Sequence, residues 1–183
     1  MDLLSWIVAG IALAVMIAWY ISYGAARLDR LHSRVEGALS VLDAQLVRRA
    51  EATLELANCG ALDAASALLL AAAAADSLEA DTGDQTSREA IESDLTQALE
   101  VALGDVALLH LQEDEAVGAP VLQRVAAANQ RVQLARRFLN DAVTDVRRVR
   151  RKPGVRLLRL AGHAELPQTF EIDDELPMLV RSA

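Results

Sequence analysis

LLSWIVAGIALAVMIAWYISY, residues 3–23, decides the architecture of this chain. These 21 residues carry no charge. As a helix they reach ~31 Å at ~1.5 Å per residue, which matches a hydrocarbon core of ~30 Å. Lipid offers the backbone no hydrogen-bond partner, so a segment that crosses it must be helical. Trp6 lies near one end of the stretch, and Trp19, Tyr20 and Tyr23 lie near the other. Amphipathic rings suit the headgroup level, so these four are the expected membrane-interface residues. The competing reading is a cleaved signal peptide, for which Gly24-Ala25-Ala26 offers small residues. The residues before the apolar run include Asp2 and no Lys or Arg, and the run exceeds a signal peptide's apolar region. A retained anchor is therefore expected. A buried helix of a soluble protein fits worse, because no side of this helix is polar.

The flanks orient the span. Asp2 precedes it; Arg27, Arg30 and Arg34 follow it. Lys and Arg stay on the cytoplasmic side, so the expectation is a single-pass cell-membrane protein, N-terminus out and bulk inside. The single Cys59 makes no intrachain disulfide, as expected in a reducing compartment.

The rest of the chain is rich in Ala and Leu and poor in aromatics, and its first Pro is Pro120. That composition predicts an all-α fold: the transmembrane helix, then an antiparallel bundle of about four helices. No period of 20–50 residues points to a solenoid. The expected division is an anchor over 1–23, the bundle over 24–152 and a basic-then-acidic tail over 153–183, partly ordered.

Apolar steps of three and four predict the helices. The first covers 24–58, with Leu28, Leu31, Val35, Leu39, Leu42, Leu46, Ala50, Thr53 and Leu56 on one stripe. Only Gly24 separates it from the membrane span, so the two are free to run as one. Asn58-Cys59-Gly60 is a stop signal, since Gly takes the left-handed conformation readily. A second helix over 61–80 contains a nearly all-apolar run, 64–75, which is too short to span lipid and is expected to be buried. A third follows a loop over 80–86 and runs to about Gln112; it is expected to be capped by Ser87, or by Thr86 with Glu89 as a capping box. Its stripe is Ile91, Leu95, Ala98, Ala102, Val106 and Leu109, with Glu92, Asp94, Glu100 and Asp105 facing elsewhere. After a break at 113–120, a fourth covers 121–151 on a regular seam from Val125 to Val149. Pro153-Gly154 ends it.

The net charge of −8 hides a division. Residues 50–123 carry fifteen acidic groups and a single basic one, Arg88; residues 124–161 carry eleven basic groups and two acidic. Helices of opposite sign attract and discourage wrong pairings. Antiparallel connection brings the end of the last helix back to the start of the first, at the membrane surface. Arg147, Arg148, Arg150, Arg151, Lys152, Arg156 and Arg159 sit there, a candidate contact for anionic lipid worth ~1 kcal/mol per cation. The simpler account is a solvated helix end whose cations offset the helix dipole.

Two stretches carry a family resemblance. Arg27-Leu28-Asp29-Arg30-Leu31 through Val41-Leu42-Asp43-Ala44-Gln45-Leu46-Val47-Arg48-Arg49 resembles the first soluble helix of LemA family proteins. Asn129-Gln130-Arg131-Val132 with Ala135-Arg136-Arg137-Phe138-Leu139-Asn140-Asp141-Ala142-Val143 resembles that family's most recognisable motif. Leu39 stands where the family usually has Trp, Leu139 where Tyr is usual, and a Pro common after the basic pair is missing around Leu56. The resemblance implies a single-pass bacterial membrane protein with an antiparallel bundle, and no established biochemical activity.

No catalytic, cofactor or metal site is expected. His32, His110 and His163 lack the spacing of a zinc or di-iron site. No Gly-rich phosphate loop or nucleophile elbow is present, and Glu113-Asp114-Glu115 lacks the Gly of a calcium loop. The basic cluster lacks the aromatic interleaving of a nucleic-acid site. What remains is a polar constellation near the seam of the first and last helices: Asp43 and Gln45, with Arg136, Asn140 and Asp141. Buried, it fixes register; exposed, it is solvated flank. The expected function is a non-enzymatic, membrane-anchored scaffold or adaptor that binds the bilayer and a membrane or cytoplasmic protein partner, or self-associates. The alternatives are a tethered accessory of a peptidase or signalling system, and a lipid-surface binder.

Overall fold

The computed structural model describes residues 3–81, 84–152, 154–155 and 166–176, with side chains from Trp6 onward. They form five helices and no strand among the described residues: α1 (Leu3–Asn58), α2 (Ala64–Glu79), α3 (Gln85–Ala102), α4 (Asp105–Glu113) and α5 (Gly118–Arg150). The fold is all-α, a long helix with an apolar N-terminal segment followed by a helical bundle. The apolar N-terminal stretch and the helix expected over 24–58 are one helix, uninterrupted at Gly24.

Local chemistry sets the ends. α1 stops at Asn58, and Gly60 follows at φ +78°, the left-handed conformation that suits Gly. Asp63 caps α2, accepting from the N–H groups of Ala65 and Ser66 at 2.9 and 3.1 Å. The Ser66 hydroxyl and N–H hold its carboxyl below the ordinary aspartate value. Asp84 caps α3, accepting from Ser87 N–H at 3.3 Å, in place of the expected Thr86 or Ser87. The helix therefore starts at Gln85, ahead of both expected caps, and Asp84 supplies the cap from outside it. Asp114 turns the chain into α5 by accepting from Ala116 and Val117 N–H at 3.2 Å each. Gly118 is fixed by space: a Cβ there would stand 2.6 Å from the Leu111 carbonyl oxygen.

The chain divides into two compact units, residues 1–37 with 140–169, and residues 38–139 with 170–183. α1 and α5 contribute to both. In the first unit the two helices run antiparallel. Arg34 donates to Asp145 at 3.4 Å, while the Gly154 backbone lies against the Tyr20 phenol.

In the second unit α1 and α5 are again antiparallel, with Arg49 facing Asn129 and Glu55 facing Arg124. α2 and α3 pack antiparallel as a hairpin. The core is Leu- and Ala-rich: Leu56, Leu70, Leu95, Leu99, Leu111 and Leu122 are fully buried among close-packed alanines. Burying a Leu contributes about 1.5–3 kcal/mol, and small neighbours let helix axes approach.

Several expectations change. Leu39, expected on the buried stripe of the first helix, is exposed. The third predicted helix breaks at Leu103–Gly104 and resets its phase. Val106 and Leu109, expected on its buried stripe, are exposed, and Leu108 and Leu111 are buried instead. α2 is not wrapped by neighbours: Leu70, Ala74 and Ser77 are buried, while Leu68 and Leu69 face outward. Glu92, expected to face away from the core, is wholly buried.

Candidate functional site

The second unit carries a buried polar layer at mid-bundle, on positions where each helix otherwise places apolar residues. α1 continues Leu42 and Leu46 to Arg49 and Thr53; α2 continues Leu70 and Ala74 to Ser77. α3 contributes Arg88, Glu92 and Thr96 alongside Leu95 and Leu99; α5 contributes Asn129 between Val125 and Val132. The helical spacing that buries the leucines buries these groups as well.

At its centre is an ion pair with both side chains wholly out of solvent. Arg49 Nη2 donates to Glu92 Oε2 at 2.6 Å and to the Glu92 carbonyl at 2.8 Å. Arg49 Nη1 donates to Thr96 Oγ1 at 3.1 Å and Asn129 Oδ1 at 3.3 Å. The other carboxylate oxygen accepts from Ser77 Oγ at 2.8 Å and lies 3.0 Å from Arg88 Nε. Arg88 Nη1 donates to the Ala80 carbonyl. One carboxylate thus ties α1, α2 and α3 together. A buried charge is tolerated only when paired and hydrogen-bonded; both oxygens of Glu92 meet that demand, whereas Arg49 Nε and Arg88 Nε and Nη2 are buried and make no hydrogen bond.

Residues 170–176, Phe-Glu-Ile-Asp-Asp-Glu-Leu, lie along α3 and α5 as a strap with neither helix nor strand. Burial alternates: Phe170, Ile172, Asp174 and Leu176 point in, and Glu171, Asp173 and Glu175 point out. The inward Asp174 is gripped by Arg136, whose Nε and Nη2 donate to its two oxygens at 2.8 and 3.1 Å. That is the bidentate fork in which Arg exceeds Lys. Asn129 and Gln133 donate to the Asp174 carbonyl at 3.1 and 2.7 Å, and Thr96 donates to that of Asp173 at 2.7 Å. Thr96 and Asn129 therefore join the ion-pair layer to the strap.

The expected polar constellation is distributed differently. Arg136 pairs with Asp174 of the strap rather than with a carboxylate of α1. Asp43 is half-buried on α1; burial pushes its carboxyl above the ordinary aspartate value, Arg88 opposing and Glu92 adding to the rise. Gln45 is half-buried with a buried Oε1 that accepts no hydrogen bond. Asn140 belongs to the first unit and Asp141 is exposed.

In the first unit Trp6, Trp19, Tyr20 and Tyr23 are all exposed on α1. Of the expected lipid contacts, Arg148, Arg151 and Lys152 are exposed and Arg150 is half-buried. Arg147 is half-buried, donating to the Pro167 carbonyl at 3.0 Å. Arg156 and Arg159 lie outside the described residues.

Arg49, Glu92, Asn129 and Asp174 are the members that sequence reasoning missed. The signal was present: each falls on an apolar stripe at helical or, for Asp174, alternating spacing. Chemically the layer binds charge and fixes register. Among the described residues no group of three or more His, Cys, Asp or Glu is placed to hold a metal ion. No protein-family model, curated protein or solved structure matches the chain.

Proposed function

We propose that this protein is a single-pass, membrane-anchored helical scaffold or adaptor of the LemA kind, without catalytic activity of its own. Its bundle would stand on the cytoplasmic side and serve a membrane or cytoplasmic partner. The observation that carries the reading is α1. Its N-terminal part is apolar enough to cross a membrane and none of that window is buried by the protein, yet the same helix continues into a packed bundle. Exposed apolar surface of that extent needs a lipid solvent. The buried charges are spent on one another and on the strap, which suits a holding role.

Alkaline carbonate extraction of membranes tests the anchor. The full chain is expected in the pellet, and protected from protease added outside intact spheroplasts. Release into the supernatant, or digestion of the bundle from outside, overturns the reading.

A second role, contact with anionic headgroups, has its own support. In the first unit the Gly154 backbone, past the end of α5, lies beside Tyr20, an aromatic suited to the interface, with Arg151 and Lys152 exposed near it. Charge reversal at Arg148, Arg151 and Lys152 is expected to reduce crosslinking of the reconstituted chain to anionic lipid. Unchanged crosslinking would remove this role.

A further inference from the structure

We propose that the face formed by α2, α3 and α4 docks a basic amphipathic helix of a partner protein. The proposal rests on the adaptor reading and names the chemistry of the partner.

Two grooves in the second unit make this face. One, of about 450 Å³, runs between α2 and α3 and is lined by Leu69, Ala72, Ala73, Ala98 and Val101, with Asp76 and Asp94 at its edge. The other, of about 560 Å³, lies between the start of α2 and the α3–α4 junction, where Leu62, Val101, Ala102 and Val106 meet Asp63 and Asp105. Val101 lines both, so they adjoin. Large aliphatics stand out from these helices: Leu68 is 73% exposed, Val101 67%, Val106 70% and Leu109 55%. Scattered exposed leucines are ordinary, but apolar grooves flanked by such residues mark an interaction surface.

The charge around the face selects the occupant. Between residues 50 and 123 the sequence holds one Lys or Arg, Arg88, and that side chain is buried against Glu92. Asp63, Asp76, Asp94, Glu100 and Asp105 are all exposed. An apolar floor inside an anionic rim matches a helix with Leu or Val on one side and Lys or Arg beside it. An anionic lipid surface is repelled by the rim. A second copy docked face to face would bring two anionic rims together.

The test uses the full chain in zwitterionic nanodiscs and a fluorescein-labelled synthetic Leu–Lys amphipathic helix, read by anisotropy against empty discs. Saturable binding is expected, lost for a Leu–Glu helix and for a sequence-scrambled Leu–Lys peptide, and weakened by salt. The double variant Val101→Ser with Val106→Ser should bind about tenfold more weakly, as loss of central apolar contacts does. Both positions are exposed, so far-UV circular dichroism should not change; Leu69→Ser, at an exposed residue lining the groove between α2 and α3, gives an independent second variant. Absence of saturable binding, equal binding of the scrambled peptide, or unchanged affinity in both variants overturns the proposal. So does self-association of the wild-type chain that the double variant abolishes, in the absence of peptide binding. If carbonate releases the chain, the anchor fails and the titration runs in buffer. If the chain stays membrane-integral and the peptide does not bind, the docking face alone fails.

Discussion

Replacing Glu92 by Gln should destabilise the bundle more than replacing Arg49 by Met, although both remove the same ion pair. Glu92 is the carboxylate at the centre, 2.6 Å from Arg49 and 3.0 Å from Arg88, with all three side chains buried. Without it, two guanidinium groups are left in the core with no central counter-charge. Removing Arg49 leaves Glu92 still held by Arg88 and by the Ser77 hydroxyl at 2.8 Å. Breaking a buried pair costs about 3–5 kcal/mol, so Glu92→Gln belongs near ~5 and Arg49→Met near ~3 kcal/mol. At ~2–4 °C per kcal/mol for a chain of this size, the melting temperature falls by ~10–20 °C and ~6–12 °C respectively. Replacing the set together, Arg49→Met with Arg88→Leu and Glu92→Leu, removes the desolvation cost along with the attraction and should stay within ~2 kcal/mol of wild type. Thermal unfolding of the full chain in detergent, followed by far-UV circular dichroism, measures all three. If Glu92→Gln cost less than Arg49→Met, or under ~1 kcal/mol, the electrostatic account of this layer would be wrong.

Asp43 gives a pH signature of definite sign. Burial raises its carboxyl above the ordinary 3.8, so the native chain holds this proton to higher pH than the unfolded chain does. Its contribution is intact below pH 3.8 and is lost as pH climbs through the raised native value. Asp43→Asn should therefore raise the melting temperature at neutral pH, with the gain vanishing below pH 3.8; a gain confined to acid would contradict the sign. Asp174→Ala strips Arg136 of its fork and should cost ~2–3 kcal/mol at the strap, seen as faster hydrogen exchange over 170–176. Unaltered exchange there would mean that the buried Phe170, Ile172 and Leu176 and the bonds from Thr96, Asn129 and Gln133 to the strap carbonyls hold it without the fork. Glu55→Ala, by contrast, breaks a bidentate pair with Arg124 that is half-exposed on both sides, and the melt should move by under ~1 kcal/mol.

The helices were legible because apolar periodicity is a local property. Asn58-Cys59-Gly60 announced the end of α1 and delivered it, with Gly60 left-handed. The regular seam from Val125 to Val149 likewise announced α5. Where periodicity crossed an unmarked break, as at Gly104, the reading carried Val106 and Leu109 inward, when the phase reset turned them out. α2 was misread for a different reason. Its composition says only that it is apolar on every side, and how many neighbours cover it depends on elements distant in sequence.

Residue order alone determined the all-α class, the uncharged N-terminal helix and the uneven placement of charge, since each follows from short-range spacing and composition. Tertiary structure decided which charges are buried. Whether Arg49 is a solvated flank or half of a core ion pair depends on Glu92, 43 residues away, arriving 2.6 Å from it. Whether residues 170–176 are a loose end or part of the core's wall depends on Arg136 meeting Asp174. A charge is stable in the interior only when its partner is in place, and a partner's place is fixed by how the helices meet.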